Sequence, residues 1–249
     1  RLLLQHAWAA IEDAGYTPRD IADTSVFMSV SSSGYQAANP SLNSTSNSTQ
    51  VLETTDQYLS WVLAQPGTTP TIVSHKLGLQ GPSYAVHSNC SSSLVGLYAA
   101  AQAIRSGESQ CALVGAATLF PGSNLGYVHQ RGMNFSGDGH VRTFDAHADG
   151  MVPGEGVAVV LLKRAVDAVV DGDHIHALIR GVGLNNDGAD KAGFYAPSVR
   201  GQAAVIDKVL QATGVDPLSI GYVEAHGTGT AVGDPVEFEA LREVYARHT

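Results

Sequence analysis

The chain has 249 residues and a formal net charge of −9, with no basic stripe, which argues against nucleic acid as a partner. Hydrophobic residues make up 44% of it, enough for one sizeable core or two small layered domains, yet no apolar run approaches the length of a membrane span. Two cysteines, Cys90 and Cys111, are too few for a disulfide framework and fit a reducing cytoplasm, and no secretory signal is visible.

In chain order, Leu4, Ala7, Trp8 and Ile11 form a helical stripe that ends at Gly15, and residues 25–30 read as a buried strand. Residues 31–55 are rich in Ser, Asn and Thr without periodicity and predict a surface loop. Its Asn43 and Asn47 fit the glycosylation pattern, which without a secretory context is chance. Helices near 57–64 and 70–77 follow, then a short strand at Tyr84-Ala85-Val86. The next helix, built from small residues, carries Leu94, Leu97, Tyr98, Ala101 and Ile104 at helical spacing. Residues 111–117 predict an apolar strand with Cys111 in the core, and 121–155 a glycine-rich irregular stretch. The apolar run 157–162 reads as a strand buried on both faces. His174-Ile175-His176 opens a further strand through Ile179 and Val182. A helix at 202–212, a strand at 219–225 and a helix at 235–247 complete the chain, with Asp234 as N-cap and Pro235 in the first turn. This alternation predicts a layered α/β architecture with a mixed sheet.

Two places carry chemistry. Cys90 lies in Ser88-Asn89-Cys90-Ser91-Ser92-Ser93, between the short strand and the small-residue helix. A thiol there meets unpaired backbone N–H groups and the helix dipole, which favour a thiolate. The local pattern alone fits a nucleophile and a buried structural Cys equally. Far along the chain, Tyr222-Val223-Glu224-Ala225 runs into His226-Gly227-Thr228-Gly229-Thr230. A His at a strand end, followed by glycines that let backbone approach a ligand, suits an acid–base group. A Cys served by a sequence-distant His is the layout of a thiol acyl-transfer enzyme.

Other chemistries fit less well. Asp145-x-His147-x-Asp149-Gly150 resembles the start of a calcium loop, but its twelfth position is Gly156 rather than Glu. His174 and His176 lack a third ligand for zinc and read as structural. No metal site is assigned. Gly227-x-Gly229 follows a strand, as in dinucleotide-binding folds, but the next glycine, Gly233, comes one residue too late for that fingerprint.

Gly81-Pro82-Ser83 ahead of Cys90-Ser91-Ser92-Ser93-Leu94, then Asp145-Ala146 with Ala148-Asp149-Gly150 and Gly154-Glu155-Gly156, then His226-Gly227-Thr228-Gly229-Thr230, occur in one order along the whole chain. In these motifs the chain resembles the β-ketoacyl synthase (ketosynthase) domain of modular polyketide synthases. The resemblance implies a thiolase-like layered αβαβα fold with mixed sheets. On that basis the chain is a partial ketosynthase domain, with the first half over about 1–165 and the start of the second over about 166–249. It implies that Cys90 accepts an acyl chain, that His226 stabilises an enolate, and that Thr228 and Thr230 bind pantetheine amides. The implied domain binds no cofactor of its own, its substrates arriving on the phosphopantetheine of an acyl carrier protein. A homodimer and neighbouring polyketide synthase domains are the other implied partners, and the cytoplasm the implied location. The glycine-rich 121–155 stretch becomes a structural loop beside the active site.

The sequence departs from the family pattern in two respects. Many relatives carry Asp-Thr-Ala where this chain has His87-Ser88-Asn89, which predicts altered acyl-chain preference with the thiol chemistry kept. The family's later Lys-Ser-Asn-Ile-Gly-His motif, with a second catalytic His, and its late glycine-rich loop are not in the sequence. The expectation is therefore a segment that by itself lacks full condensing activity and does not fold alone. A ketosynthase that passes acyl chains without condensing them, or serves as a dimer scaffold, is the alternative reading.

Overall fold

A computed structural model describes residues 1–31, 55–120 and 126–247, and the expected loop at 31–55 falls almost wholly outside them. The side chains of residues 56, 57, 60, 63 and 64 are likewise outside the description. The chain divides into two compact units, Arg1–Leu125 with Gly154–Leu178, and Gly126–Pro153 with Ile179–Thr249.

The first unit is built on a four-stranded sheet. Its strands are β1 (Thr24–Val30), β2 (Ser83–Ala85), β3 (Cys111–Thr118) and β4 (Gly156–Lys163), ordered β2-β1-β3-β4. β1 runs parallel to both neighbours, and β4 pairs antiparallel with β3. Its helices are α1 (Leu2–Asp13), α2 (Thr55–Ala64), α3 (Thr68–Leu77), α4 (Ser92–Ser106) and α5 (Ala165–Asp171). Alternation along the strands sends side chains to two cores. Val26, Met28, Cys111 and Leu113 join Leu3, Ala7 and Ile11 of α1 and Val73 and Leu77 of α3 on one face. Phe27, Ala112 and Val114 join Ala100 and Ala103 of α4 on the other.

Sequence periodicity places α1 to α4 correctly and misplaces some of their faces. On α1 the buried residues are Leu3, Ala7 and Ile11, while Trp8 is exposed. On α4 they are Ser92, Gly96, Ala100 and Ala103, and Leu94 is exposed. A Cβ on Gly96 would stand 3.0 Å from Val114 Cγ1, so α4 sits close to the sheet along its small residues rather than its large ones. β4 is not buried on both faces: Val157, Val159 and Leu161 pack towards the α1 core, whereas Val160 is exposed. The reason is its place at the end of the sheet, where α4 reaches it only at Leu162. α5 is a helix that the periodicity does not announce.

The second unit packs α6 (Val199–Thr213) against α7 (Gly233–Ala246) through Ala203, Ala240 and Val244. The Ser198 hydroxyl caps α6 by accepting from Gly201 N–H at 3.2 Å. The two strands expected at 174–182 and 219–225 are not strands. A strand exists only through its ladder, and neither segment has a ladder partner among the described residues.

Candidate active site

Cys90 occupies a 3₁₀ turn, Asn89–Ser91, that joins β2 to α4. β2 is held in register by β1, and Val86 N–H donates to Met28 O at 2.9 Å just beyond it. α4 is fixed by the Phe27–Val114 core. The strand–turn–helix expected from the sequence is thus present, anchored on both sides, with Cys90 exposed at its bend. Asn89 has φ +54°, a left-handed conformation that Asn tolerates better than most residues. Cys111 is buried on β3 and its thiol is pushed up to about 11, chiefly by burial, which removes it from nucleophilic chemistry.

The other site residues belong to the second unit, where a loop carries His226, Thr228 and Thr230 to the start of α7. Two carboxylates from the first turns of α7 hold that loop by its backbone. Glu237 accepts from His226 N–H at 2.6 Å and from Gly227 N–H at 2.8 Å. Asp234, buried, accepts from Gly229 N–H at 3.0 Å and from Phe144 N–H at 2.7 Å. Asp234 is therefore not the N-cap of its helix: that position is Val232, and the carboxylate turns to the loop instead. Sequence reading missed Glu237. The signal it offers is an acid one turn into a helix that follows a glycine-rich run, where free N–H donors collect.

Thr228 and Thr230 meet through their hydroxyls at 3.0 Å, and Thr230 Oγ1 also accepts from Gly233 N–H at 3.0 Å. One hydrogen is shared between the two hydroxyls, so the pair keeps a second O–H for a ligand. Residues 126–153 of the glycine-rich stretch belong to the same unit and lie against this loop. Thr143 donates its hydroxyl to Gly227 O at 2.8 Å, and Gly150 N–H donates to Gly229 O at 2.9 Å.

That stretch is braced by its own acids. Arg142 donates to both oxygens of Asp138, at 3.1 and 2.6 Å, and holds its carboxyl far below the usual range. The Gly137 amide lowers Asp149, and the His147 amide lowers Asp145. These carboxylates are committed to turns and to Arg142. Among the described residues no three His, Cys, Asp or Glu side chains gather as metal ligands. His174 and His176 stack edge-on with centroids 4.6 Å apart, and His176 Nε2 lies 2.8 Å from Asp13 Oδ2. No helix among the described residues is long and apolar enough to cross a membrane.

Comparison with known proteins finds relatives in sequence and in structure. The β-ketoacyl synthase N-terminal domain family matches residues 1–168, and the β-ketoacyl synthase C-terminal domain family matches 176–249. Polyketide synthase PksN of Bacillus subtilis is 63% identical over 249 residues, covering 100% of this chain and 4% of that protein. Erythronolide synthase EryA2 of Saccharopolyspora erythraea is 39% identical over 251 residues, covering 99% of this chain and 7% of that protein. Among solved structures, ketosynthase twelve of the bacillaene polyketide synthase of Bacillus amyloliquefaciens superposes with a TM-score of 0.91 at 61% identity. It is matched over 100% of this chain and 43% of its own. The module 1 ketosynthase of the bacillaene synthase of B. amyloliquefaciens FZB42 gives 0.86 at 58% identity, with the same coverage.

The mixed sheet between helix layers is that of a thiolase-like α/β protein. The chain belongs to the β-ketoacyl synthase family, whose N-terminal and C-terminal domains match it in turn.

Proposed function

We propose that the chain is the ketosynthase part of a modular polyketide synthase, with its two halves meeting near residue 165, and that it builds carbon–carbon bonds by decarboxylative condensation. Cys90 Sγ attacks the thioester carbonyl of an acyl chain on a carrier protein, and the phosphopantetheine thiol leaves as the Cys90 acyl-enzyme forms. A malonyl-type thioester then loses CO2, its electron pair remaining on Cα as an enolate. Cα attacks the acyl carbonyl, and Cys90 is expelled as the thiolate.

Each residue has one task in this scheme. The Cys90 N–H donates to the oxyanion of the first step, a role in which fixed backbone donors are worth the most. His226 donates a hydrogen bond to the enolate oxygen. Thr228 and Thr230 offer their spare hydroxyl hydrogen to the pantetheine amides. His87 leaves the turn intact, so its consequence falls on acyl preference. The partners in this reading are an acyl carrier protein, a second copy of the chain and neighbouring synthase domains, in the cytoplasm. With a net charge of −9, docking of an acidic carrier protein relies on a local basic patch.

The observation that carries the reading is the placement of Cys90 on an anchored turn at the head of α4. Its test is intact-mass detection of acylation after incubating the intact protein with an acyl-pantetheine thioester. A mass gain lost in Cys90→Ala establishes Cys90 as the acyl acceptor, and product formation from a malonyl thioester then tests the condensation. No gain with a folded protein and several donors leaves the non-condensing scaffold as the better account.

A further inference from the structure

Ser92 opens α4 directly after Ser91, the N-cap residue, whose hydroxyl would ordinarily cap the helix. It does not do so here. Neither Ser91, at the N-cap position, nor Ser92 gives its hydroxyl to the α4 amides. Both reach back into the nucleophile turn. Ser91 Oγ donates to Ser88 O at 2.9 Å. Ser92 Oγ, almost wholly buried, accepts from Ser88 N–H at 2.9 Å and donates to Asn89 O at 2.6 Å.

The carbonyl that Ser92 holds belongs to the peptide group whose nitrogen is that of Cys90. A trans peptide is planar, with C=O and N–H pointing in opposite directions. Fixing Asn89 O therefore fixes the direction of Cys90 N–H. The Ser92 amide also donates to Asn89 O, so that oxygen is gripped by two donors from one residue. Hydrogen bonds at the carbonyl polarise the peptide and strengthen its N–H as a donor. Asn89 itself is held in the left-handed region, at φ +54°.

We propose that Ser92 is a positioning residue for acyl transfer: its hydroxyl aims the Cys90 N–H at the thioester oxyanion. This rests on the condensing reading above. The hydroxyl touches neither substrate nor thiol and acts through the Asn89–Cys90 peptide alone.

The experiment compares two reactions of the same thiol in the intact protein. Acylation by an acyl-N-acetylcysteamine thioester passes through an oxyanion, whereas alkylation by iodoacetamide does not. Ser92→Ala is expected to lower kcat/KM for acylation at least about tenfold, a fraction of what losing an oxyanion donor outright costs. The rate and pH profile of alkylation stay within about twofold, and Ser92→Thr, which keeps the hydroxyl, restores acylation. Should Ser92→Ala fail to fold, Asn89→Val disturbs the same peptide plane from an exposed position and is expected to give the same split. An equal fall in both reactions, or no fall in acylation, overturns the proposal alone. A native protein with no acylation at Cys90 overturns the condensing reading and this proposal with it.

Discussion

Glu237 grips the backbone on both sides of the His226 carbonyl: one carboxylate oxygen accepts the His226 amide at 2.6 Å and the other the Gly227 amide at 2.8 Å. The imidazole is thereby set by a helix rather than by its own loop. α7 begins only a few residues after the loop ends, so its early turns lie beneath the amides they hold.

Glu237→Gln tests that grip. A carboxamide has one acceptor oxygen, so one of the two amides loses its partner and faces an NH2 group, at a cost of about 1–3 kcal/mol. The expected outcome is a decarboxylation rate for a malonyl thioester reduced by roughly tenfold or more, since small displacements of reacting groups are expensive. Acylation of Cys90, followed by mass, changes less than about twofold on the same scale. Equal loss of both would show that Glu237 serves general folding.

Gly150 supports the same loop from the glycine-rich stretch. Its φ is +152°, and a Cβ there would stand 2.4 Å from the Phe135 carbonyl carbon and 2.5 Å from Ser136 N. Backbone cannot yield as a flexible side chain does. Gly150→Ala is expected to cost about 2–4 kcal/mol in denaturant unfolding, at the high end for a single substitution. It also weakens the Gly150–Gly229 hydrogen bond. An unchanged midpoint would refute the close approach.

The first unit carries a pH-sensitive tie. Lys163 donates to Asp171 at 2.5 Å, to Asp173 at 2.6 Å and to Tyr16 Oη at 2.8 Å. Burial opposes the Lys163 charge, but these bonds outweigh it and raise its pKa, while Lys163 foremost lowers Asp173. The depressed Asp173 contributes stability above its ordinary carboxylate range, lost as pH falls through its lower folded value. The raised Lys163 contributes below the ordinary Lys range, lost as pH rises through its higher folded value. Asp173→Asn should cost about 2 kcal/mol at neutral pH and flatten the acid limb of the stability profile. An acid limb as steep as in the native protein would contradict the tie.

The two thiols should separate chemically. With its pKa near 11, Cys111 is ionised to roughly one part in a thousand at pH 8, and it lies inside β3 besides. Iodoacetamide on the folded protein is expected to label Cys90, with Cys111 appearing in peptide maps only after denaturation. Prompt labelling of Cys111 would place it outside the core.

By itself the sequence determined the order of most helices and of the central strands, and it pointed to Cys90 and His226. Those features are local: a period of apolar residues, or a turn whose residues stand side by side. The tertiary structure decided which faces are covered. Trp8 and Leu94 share a helical period with core residues, yet remain exposed because α1 and α4 approach the sheet along other stripes. β4 is as apolar as a central strand, but lies at the end of the sheet. Residues 219–225 read as a strand, but pairing is a property of two segments, and the second is not supplied locally. Asp234 likewise reads as a cap, because helix starts favour acids. Only the folded loop shows that its carboxylate, and that of Glu237, serve amides belonging to other residues. Periodicity and motif are written along the chain, whereas a buried carboxylate's partners are fixed by the path of the backbone through space.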